Sequence, residues 1–335
     1  MPCGAVEGNR VVCRPAHQAG LRWRSWCCRD DHCLAHIAEA VSGRGKGLNV
    51  SSISAAIAQL GHAMGPQVVA QCRSLFGAEQ EQIAQALAPV AVDCAYGPDP
   101  RQRLDLYREG PISEAPLKPV VLFVHGGGFV LGDKGGQSGW ANAHVGRWAA
   151  MNGMLGAVMN YRLAPAHMWP SGAEDVAAAV DWLRANSTRF GGDSQRILLV
   201  GTSAGSVHLA GFVKLRGNHA SLVRGAVLLS GLYGYTSLDE RDELYYGPQA
   251  AYAQRMPRGA LAATDLPLLI ACAQFDPPRF QAEWAGLLQE RLERHGRLPR
   301  SHYASAHNHY SLAMHIGTSD RRLADEMLAF FADIA

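Results

Sequence analysis

The sequence contains no run of 18 or more apolar residues, so a membrane-spanning helix is excluded from the reading. It also lacks a charge excess: 31 Lys and Arg stand against 29 Asp and Glu, a formal net charge of +2. A polyanionic partner such as nucleic acid is therefore not expected, since that needs a clustered basic face. Cysteine is scarce beyond the N-terminus. Five of the eight (Cys3, Cys13, Cys27, Cys28, Cys33) crowd the first 33 residues, and Cys72, Cys94 and Cys272 are scattered singly through apolar surroundings. That distribution is not a disulfide framework and reads as free buried thiols. The early Arg residues are not followed by an apolar stretch with a small-residue cleavage site, so no secretory signal is read. These absences predict a cytoplasmic, reducing setting. No internal repeat is visible either. What is present is a chain of 335 residues, 48% hydrophobic and 18% charged, able to bury a large core without disulfides or a structural metal.

Residues 1–50 look foreign to the rest. The stretch 22–29 has neither helical nor strand periodicity, and 42–47 has a flexible-linker composition. Cys28, His32, Cys33 and His36 can be pictured as zinc ligands, but their spacing matches no standard finger, so no metal is expected. The stretch reads as a disordered tail or as residues upstream of the true start, with Met64 a candidate. From Ile53 to about Leu87, apolar residues recur at three-to-four spacing, broken by Gly61, Gly65 and Pro66. Residues 51–89 are thus expected to form a helical arm in two pieces. Beyond it, apolar strand-like runs at 90–96, 103–108, 119–124, 154–160, 196–200, 224–229 and 267–272 alternate with helical segments such as 172–186 and 203–215. Such alternation predicts an α/β domain over 90–335, with a mostly parallel central sheet and helices on both faces.

Two segments carry chemistry. The strand-like run 196–200 leads straight into Gly201-Thr202-Ser203-Ala204-Gly205, which opens a helix. This is G-x-S-x-G between a buried strand and a helix, the context in which the serine sits on a strained turn clear of the sheet. Side chains at 201 and 205 would collide with the neighbouring strand and helix, so Ser203 is the expected nucleophile. The second segment is His125-Gly126-Gly127-Gly128-Phe129 after the strand at 119–124. Successive glycines let backbone approach a ligand and leave N–H groups to face developing negative charge. The expected oxyanion donors are the amides of Gly127, Gly128 and Ala204, with His125 an anchor for the loop.

Together with Tyr161-Arg162-Leu163-Ala164-Pro165, Pro170 and Asp175, these segments resemble the HGGG-type esterases and lipases of the α/β-hydrolase superfamily, including its hormone-sensitive-lipase-like branch. The resemblance covers residues 90–335. It implies the α/β-hydrolase fold and a carboxylester hydrolase needing no metal or organic cofactor. The order Ser, then acid, then His along the chain is the one this superfamily uses. It singles out Asp276, just past the apolar run 266–272, where parallel sheets present functional groups. Asp276 could instead only cap the helix 279–295. For the base, the resemblance favours His309, which precedes Tyr310, with His307 as runner-up. His309 would take the Ser203 proton while Asp276 fixes its tautomer, and an acyl-enzyme would follow.

Between Ser203 and Asp276 lies a non-strand insert, 231–265, that carries Tyr233, Tyr235, Tyr245, Tyr246 and Tyr252. The insert and the N-terminal arm are expected to form a small helical lid. Phe129, Trp169 and Tyr245 are the expected substrate-binding residues, although the aromatics of the insert would equally serve to pack it onto the core. With no broad apolar lid helix, short- or medium-chain esters are favoured over long triglycerides. The expected partner is a small-molecule ester, and a homodimer is compatible with the composition. An amidase or arylformamidase would use the same triad, and a non-catalytic binding protein on this fold is the non-enzyme alternative.

Overall fold

The structure, a computed structural model, describes residues 50–112, 116–135 and 139–334. The imagined ligands Cys28, His32, Cys33 and His36, and the linker-like stretch 42–47, lie outside the described residues. Eight strands form one sheet: β1 (Pro89–Ala95), β2 (Arg103–Tyr107), β3 (Lys118–Val124), β4 (Leu155–Met159), β5 (Gly192–Thr202), β6 (Gly225–Leu229), β7 (Leu268–Phe275) and β8 (Arg300–Asn308). Their spatial order is β1-β2-β4-β3-β5-β6-β7-β8. β2 runs antiparallel to both of its neighbours, and all pairings from β4 and β3 through to β8 are parallel. This is the α/β-hydrolase architecture expected from the sequence.

The alternation of side chains along β3 shows how the layers form. Val120, Leu122 and Val124 enter a core shared with α4 (Ser171–Asn186) and α5 (Ala204–Leu215). Val121 and Phe123 enter the opposite core, closed by α3 (Ala143–Met151) and by a C-terminal helix, Arg322–Ile334. A strand covered on both faces has no polar side to display, which is why its sequence is one unbroken apolar run. Parallel neighbours need crossovers, and the helices supply them.

Two strands outrun their sequence signal. β5 begins at Gly192, ahead of the expected 196, and pairs there with Lys118. Its first residues (Gly192-Asp193-Ser194-Gln195) are polar and carry no apolar pattern. β8 continues to Asn308 rather than ending near 303, through a register shift against β7 and a left-handed Ala306 at φ 64°. An edge strand with one solvated face needs fewer apolar residues, so the polar stretch 304–308 read as loop. The chain therefore leaves the sheet one residue before His309.

The N-terminal arm folds as α1 (Val50–Leu60) and α2 (Pro66–Ala86). Ile53, Ile57 and Phe76 bury themselves with Trp140 and pack against Phe275 and Met314, beside the carboxyl ends of β7 and β8. The packed structure thus includes residues ahead of the candidate start, Met64. The insert 231–265 contains only short helices, among them α6 (Glu240–Tyr246) and α7 (Arg258–Ala263). A helix after the acid loop, α8 (Pro278–His295), packs Leu287 into the first core.

Candidate active site

β5 delivers Ser203 on a turn that only a particular set of residues can make. Ser203 has φ 53° and ψ −121°, in the region an L-residue rarely adopts. A Cβ at Gly205 would lie 2.0 Å from the Val124 carbonyl oxygen, and one at Gly201 would lie 2.8 Å from the Gly205 carbonyl carbon. Both positions must therefore be glycine for the turn to close. The Ser203 amide donates to Leu229 O at 2.8 Å, which ties the turn to β6. α5 starts at the next residue and aims its free N–H groups at the same space.

His309 lies with Nε2 3.0 Å from Ser203 Oγ and Nδ1 2.7 Å from Asp276 Oδ1. A carboxylate can only accept, so Nδ1 carries the proton and Nε2 keeps a lone pair for the serine hydroxyl. That tautomer is the one a general base requires. Asp276 is fully buried. Burial pushes its carboxyl upward, but the hydrogen bond and charge of His309, the Ser230 hydroxyl at 2.5 Å and the Ala273 amide at 2.7 Å outweigh it and hold the group below the ordinary carboxylate range. Asp276 does not cap α8: the N-cap is Pro277, without a side-chain bond. Three neighbours of this array were not foreseen. Ser230 follows β6 and donates to Asp276; Phe280 lays its ring 4.3 Å from that of His309; and His62 of the arm contacts the Asp276 carbonyl at 2.8 Å. Position alone could have flagged Ser230, since it stands at the carboxyl end of a parallel strand. Phe280 and His62 are long-range contacts with no local signal.

The glycine loop lies against Ser203. A Cβ on Gly126 would be 3.1 Å from Ser203 Cβ. Gly127 takes φ 135° with no room for a side chain, 1.9 Å from Leu131 O, and Gly128 takes φ 57°. His125 packs beneath this loop, fully buried, with Nδ1 2.7 Å from Gly126 O and its ring stacked 4.4 Å from Tyr161. Burial pulls its pKa down to about 4, so it is neutral at physiological pH. The Tyr161 hydroxyl donates to the His125 carbonyl at 3.0 Å. Asp175 accepts from the Arg162 amide, the Arg162 guanidinium and Gln102, which fixes the segment after β4 beneath the loop.

His307 does not join Ser203. Its Nε2 is 3.2 Å from Asp320 and its Nδ1 3.1 Å from Ser311 Oγ, and its ring stacks 3.9 Å from His315. Phe129 and Tyr245 also use their surfaces on each other: both are buried, stacked at 4.6 Å and 9°. They share a cluster with Ala204 and Val207 at the start of α5, with half-buried Trp169 at its margin. This aromatic block fastens the insert to the glycine loop.

Among the described residues, His307, His315 and Asp320 offer three metal-type donor atoms within 4.8 Å of one another. The group suits a cation poorly. Arg322 already pairs with Asp320, and near-parallel rings direct their in-plane lone pairs side by side rather than to one point. Also among the described residues, no helix is long and apolar enough to cross a membrane.

Comparison with known proteins gives a consistent set. The BD-FAE family model matches residues 104–240. The esterase LipC of Mycobacterium tuberculosis is 37% identical over 154 residues, 44% of this chain and 37% of that protein. A probable isoprenylcysteine alpha-carbonyl methylesterase of Oryza sativa is 43% identical over 115 residues, 34% of this chain and 25% of that protein. The chain thus spans well under half the length of these curated relatives. Among solved structures, a bacterial heroin esterase superposes with a TM-score of 0.61 at 22% identity, covering 86% of this chain and 98% of that one. A hyperthermophilic esterase from Pyrobaculum calidifontis gives 0.55 at 22% identity, covering 85% and 97%.

Proposed function

We propose that this chain is a serine carboxylesterase of the HGGG-type branch of the α/β-hydrolase superfamily, acting on short- to medium-chain esters, a reading that the partial family match and the esterase relatives support. The observation that carries the reading is the continuous bond series from Asp276 to His309 to Ser203, 2.7 Å and then 3.0 Å, ending on a hydroxyl held on a strained turn. The esterase names of the similar proteins support the same chemistry.

In the proposed cycle His309 Nε2 takes the Ser203 proton as Oγ attacks the ester carbonyl carbon. The resulting imidazolium is stabilised by the Asp276 carboxylate, which stays ionised. The amides of Gly127, Gly128 and Ala204 face the oxyanion; losing one such donor typically costs about 10²–10³ in turnover. The imidazolium then protonates the departing alcohol. Water, deprotonated by His309, attacks the acyl-enzyme and restores Ser203. Residues 90–335 act as the catalytic domain, with the arm 51–89 and the insert 231–265 forming its roof. The longest helix of the insert has only seven residues, which supports the choice of short and medium acyl groups. The free thiols of Cys72, Cys94 and Cys272 suit a reducing, cytoplasmic setting.

A series of p-nitrophenyl esters from C2 to C16 tests the proposal. Turnover is expected to peak below C12 and to vanish in Ser203→Ala. A peak at C12 or above would overturn the chain-length reading, and undiminished turnover in the variant would overturn the serine mechanism.

A further inference from the structure

The proposed ester chemistry leaves one charged group beside the site without a task. Arg241 lies on α6, and its side chain crosses the outer surface of Gly128. A Cβ built on Gly128 would meet Arg241 Cδ at 2.8 Å, Nη1 at 3.4 Å and Nε at 3.6 Å. The guanidinium is therefore stationed over the oxyanion loop, whose neighbouring Gly126 touches Ser203. The helix that carries Arg241 is itself tied to the loop. Tyr245 is four residues further along α6, on the same helical face, and stacks on Phe129, the residue next to Gly128. Two consecutive loop residues, Gly128 and Phe129, are thus gripped by two residues one helical turn apart.

The local charges leave the guanidinium unneutralised. The nearby carboxylates of Asp239 and Asp242 are both taken by Arg279, and Asp239 also caps α6. Glu240 and Glu243 are exposed on other faces of the helix, and Arg241 enters no ion pair among the described residues. An exposed, unpaired cation lying against Gly128, two residues from the glycine that abuts Ser203, has the features of a ligand contact. A guanidinium suits planar, bidentate binding of a carboxylate or a phosphate oxygen pair.

We propose that Arg241 is a specificity-determining residue and that the ester cleaved at Ser203 carries an anionic group, a carboxylate in the simplest case, within reach of its guanidinium. The inference rests on the esterase reading above. Tyr245 contributes by anchoring the helix rather than by touching the acyl chain.

Two pairs of esters matched in length place the charge on either side of the scissile bond. Ethyl hydrogen adipate against ethyl heptanoate places it on the acyl side; 5-acetoxypentanoate against hexyl acetate places it on the alcohol side. Proton release gives kcat/KM for each. The protein is expected to favour the anionic member of at least one pair by about tenfold or more, the scale of one charge-assisted contact. That ratio should fall toward 1 in Arg241→Gln, stay intermediate in Arg241→Lys, and shrink with added salt in the unaltered protein. Turnover of the neutral esters with no anionic preference in either pair, or a preference that Arg241→Gln leaves intact, would overturn the inference while leaving the esterase reading standing. No turnover of any of the four esters would remove both.

Discussion

Two Ser-His-Asp arrays, whose histidines are two residues apart, stand in this fold, and on the proposed reading only one does chemistry. The first is Asp276–His309–Ser203, with separations of 2.7 and 3.0 Å; the second is Asp320–His307–Ser311, with separations of 3.2 and 3.1 Å. Residue types and distances barely distinguish them. The differences lie in what surrounds the serine and the acid. Ser203 sits at φ 53° beside a glycine loop, whereas Ser311 opens a short helix, where its Oγ accepts from the Asn308 amide at 2.8 Å and is fully buried. Asp276 pairs with the His309 ring and with no Arg or Lys, while Asp320 is also clamped by Arg322. Although burial favours the neutral acid, the bonds from Arg322 and His307 hold Asp320 well below the carboxylate range. The first array ends on a hydroxyl that can move to a substrate; the second ends on one already committed. A triad is thus defined by its open end, and the second array reads as a brace for the loop that carries His309.

Breaking each array separately should give opposite signatures. Ser203→Ala or His309→Ala should lower ester turnover by about 10⁴–10⁶, with little change in thermal unfolding. The next largest effect concerns another buried carboxylate, Glu283, which accepts from the amides of Tyr233, Gly234, Tyr235 and Thr236 and so holds the start of the insert. Glu283→Ala leaves those donors unpaired, and urea unfolding should show a loss of about 3–5 kcal/mol. His307→Ala should cost about 1–3 kcal/mol of stability and no more than about tenfold in turnover, since it loosens the brace without touching Ser203. Were His307→Ala as inactive as His309→Ala, the division between working and bracing arrays would be wrong.

A separate expected effect, read along the pH axis rather than by substitution, is a graded acid sensitivity. His125, His144 and His208 are buried and neutral, with burial pulling their pKa values down to about 4, 4 and 3 from 6.5, and burial likewise holds His315 well below 6.5. In the unfolded chain these imidazoles bind protons below about pH 6.5, and in the folded chain they do not until about pH 4 or lower. The stability they contribute is complete above pH 6.5 and is lost as the pH falls from there toward 4. Each group therefore weakens the fold as the pH falls through that window. A pH series of urea midpoints that stayed flat between 6.5 and 4.5 would contradict the burial of neutral imidazoles.

The legible parts of the sequence were those whose signal is local. Gly201 and Gly205 announce the turn because no side chain fits there, and the apolar runs of β3, β4 and β6 announce a sheet covered on both faces. Asp276 was reachable through the superfamily's order along the chain and its place after a strand, and His309 through the family resemblance that favours the histidine before Tyr310. Contacts that join distant segments were not reachable. Nothing around Phe280, His62 or Arg241 marks them locally, because each gains its setting from a partner tens to hundreds of residues away. Tyr245 shows the converse: an aromatic in the insert was foreseen near the site, but its stacking on Phe129 depends on where α6 docks. The full extent of β8 was hidden because an edge strand can be polar.

The account turns on which hydroxyl is the reactive one. Treating the protein with a fluorophosphonate and mapping the adduct by peptide mass spectrometry asks this directly. A single adduct on the peptide containing Ser203, absent from Ser203→Ala and unaffected by Ser311→Ala, is the predicted result. An adduct on Ser311, or none on a protein that still hydrolyses esters, would contradict it.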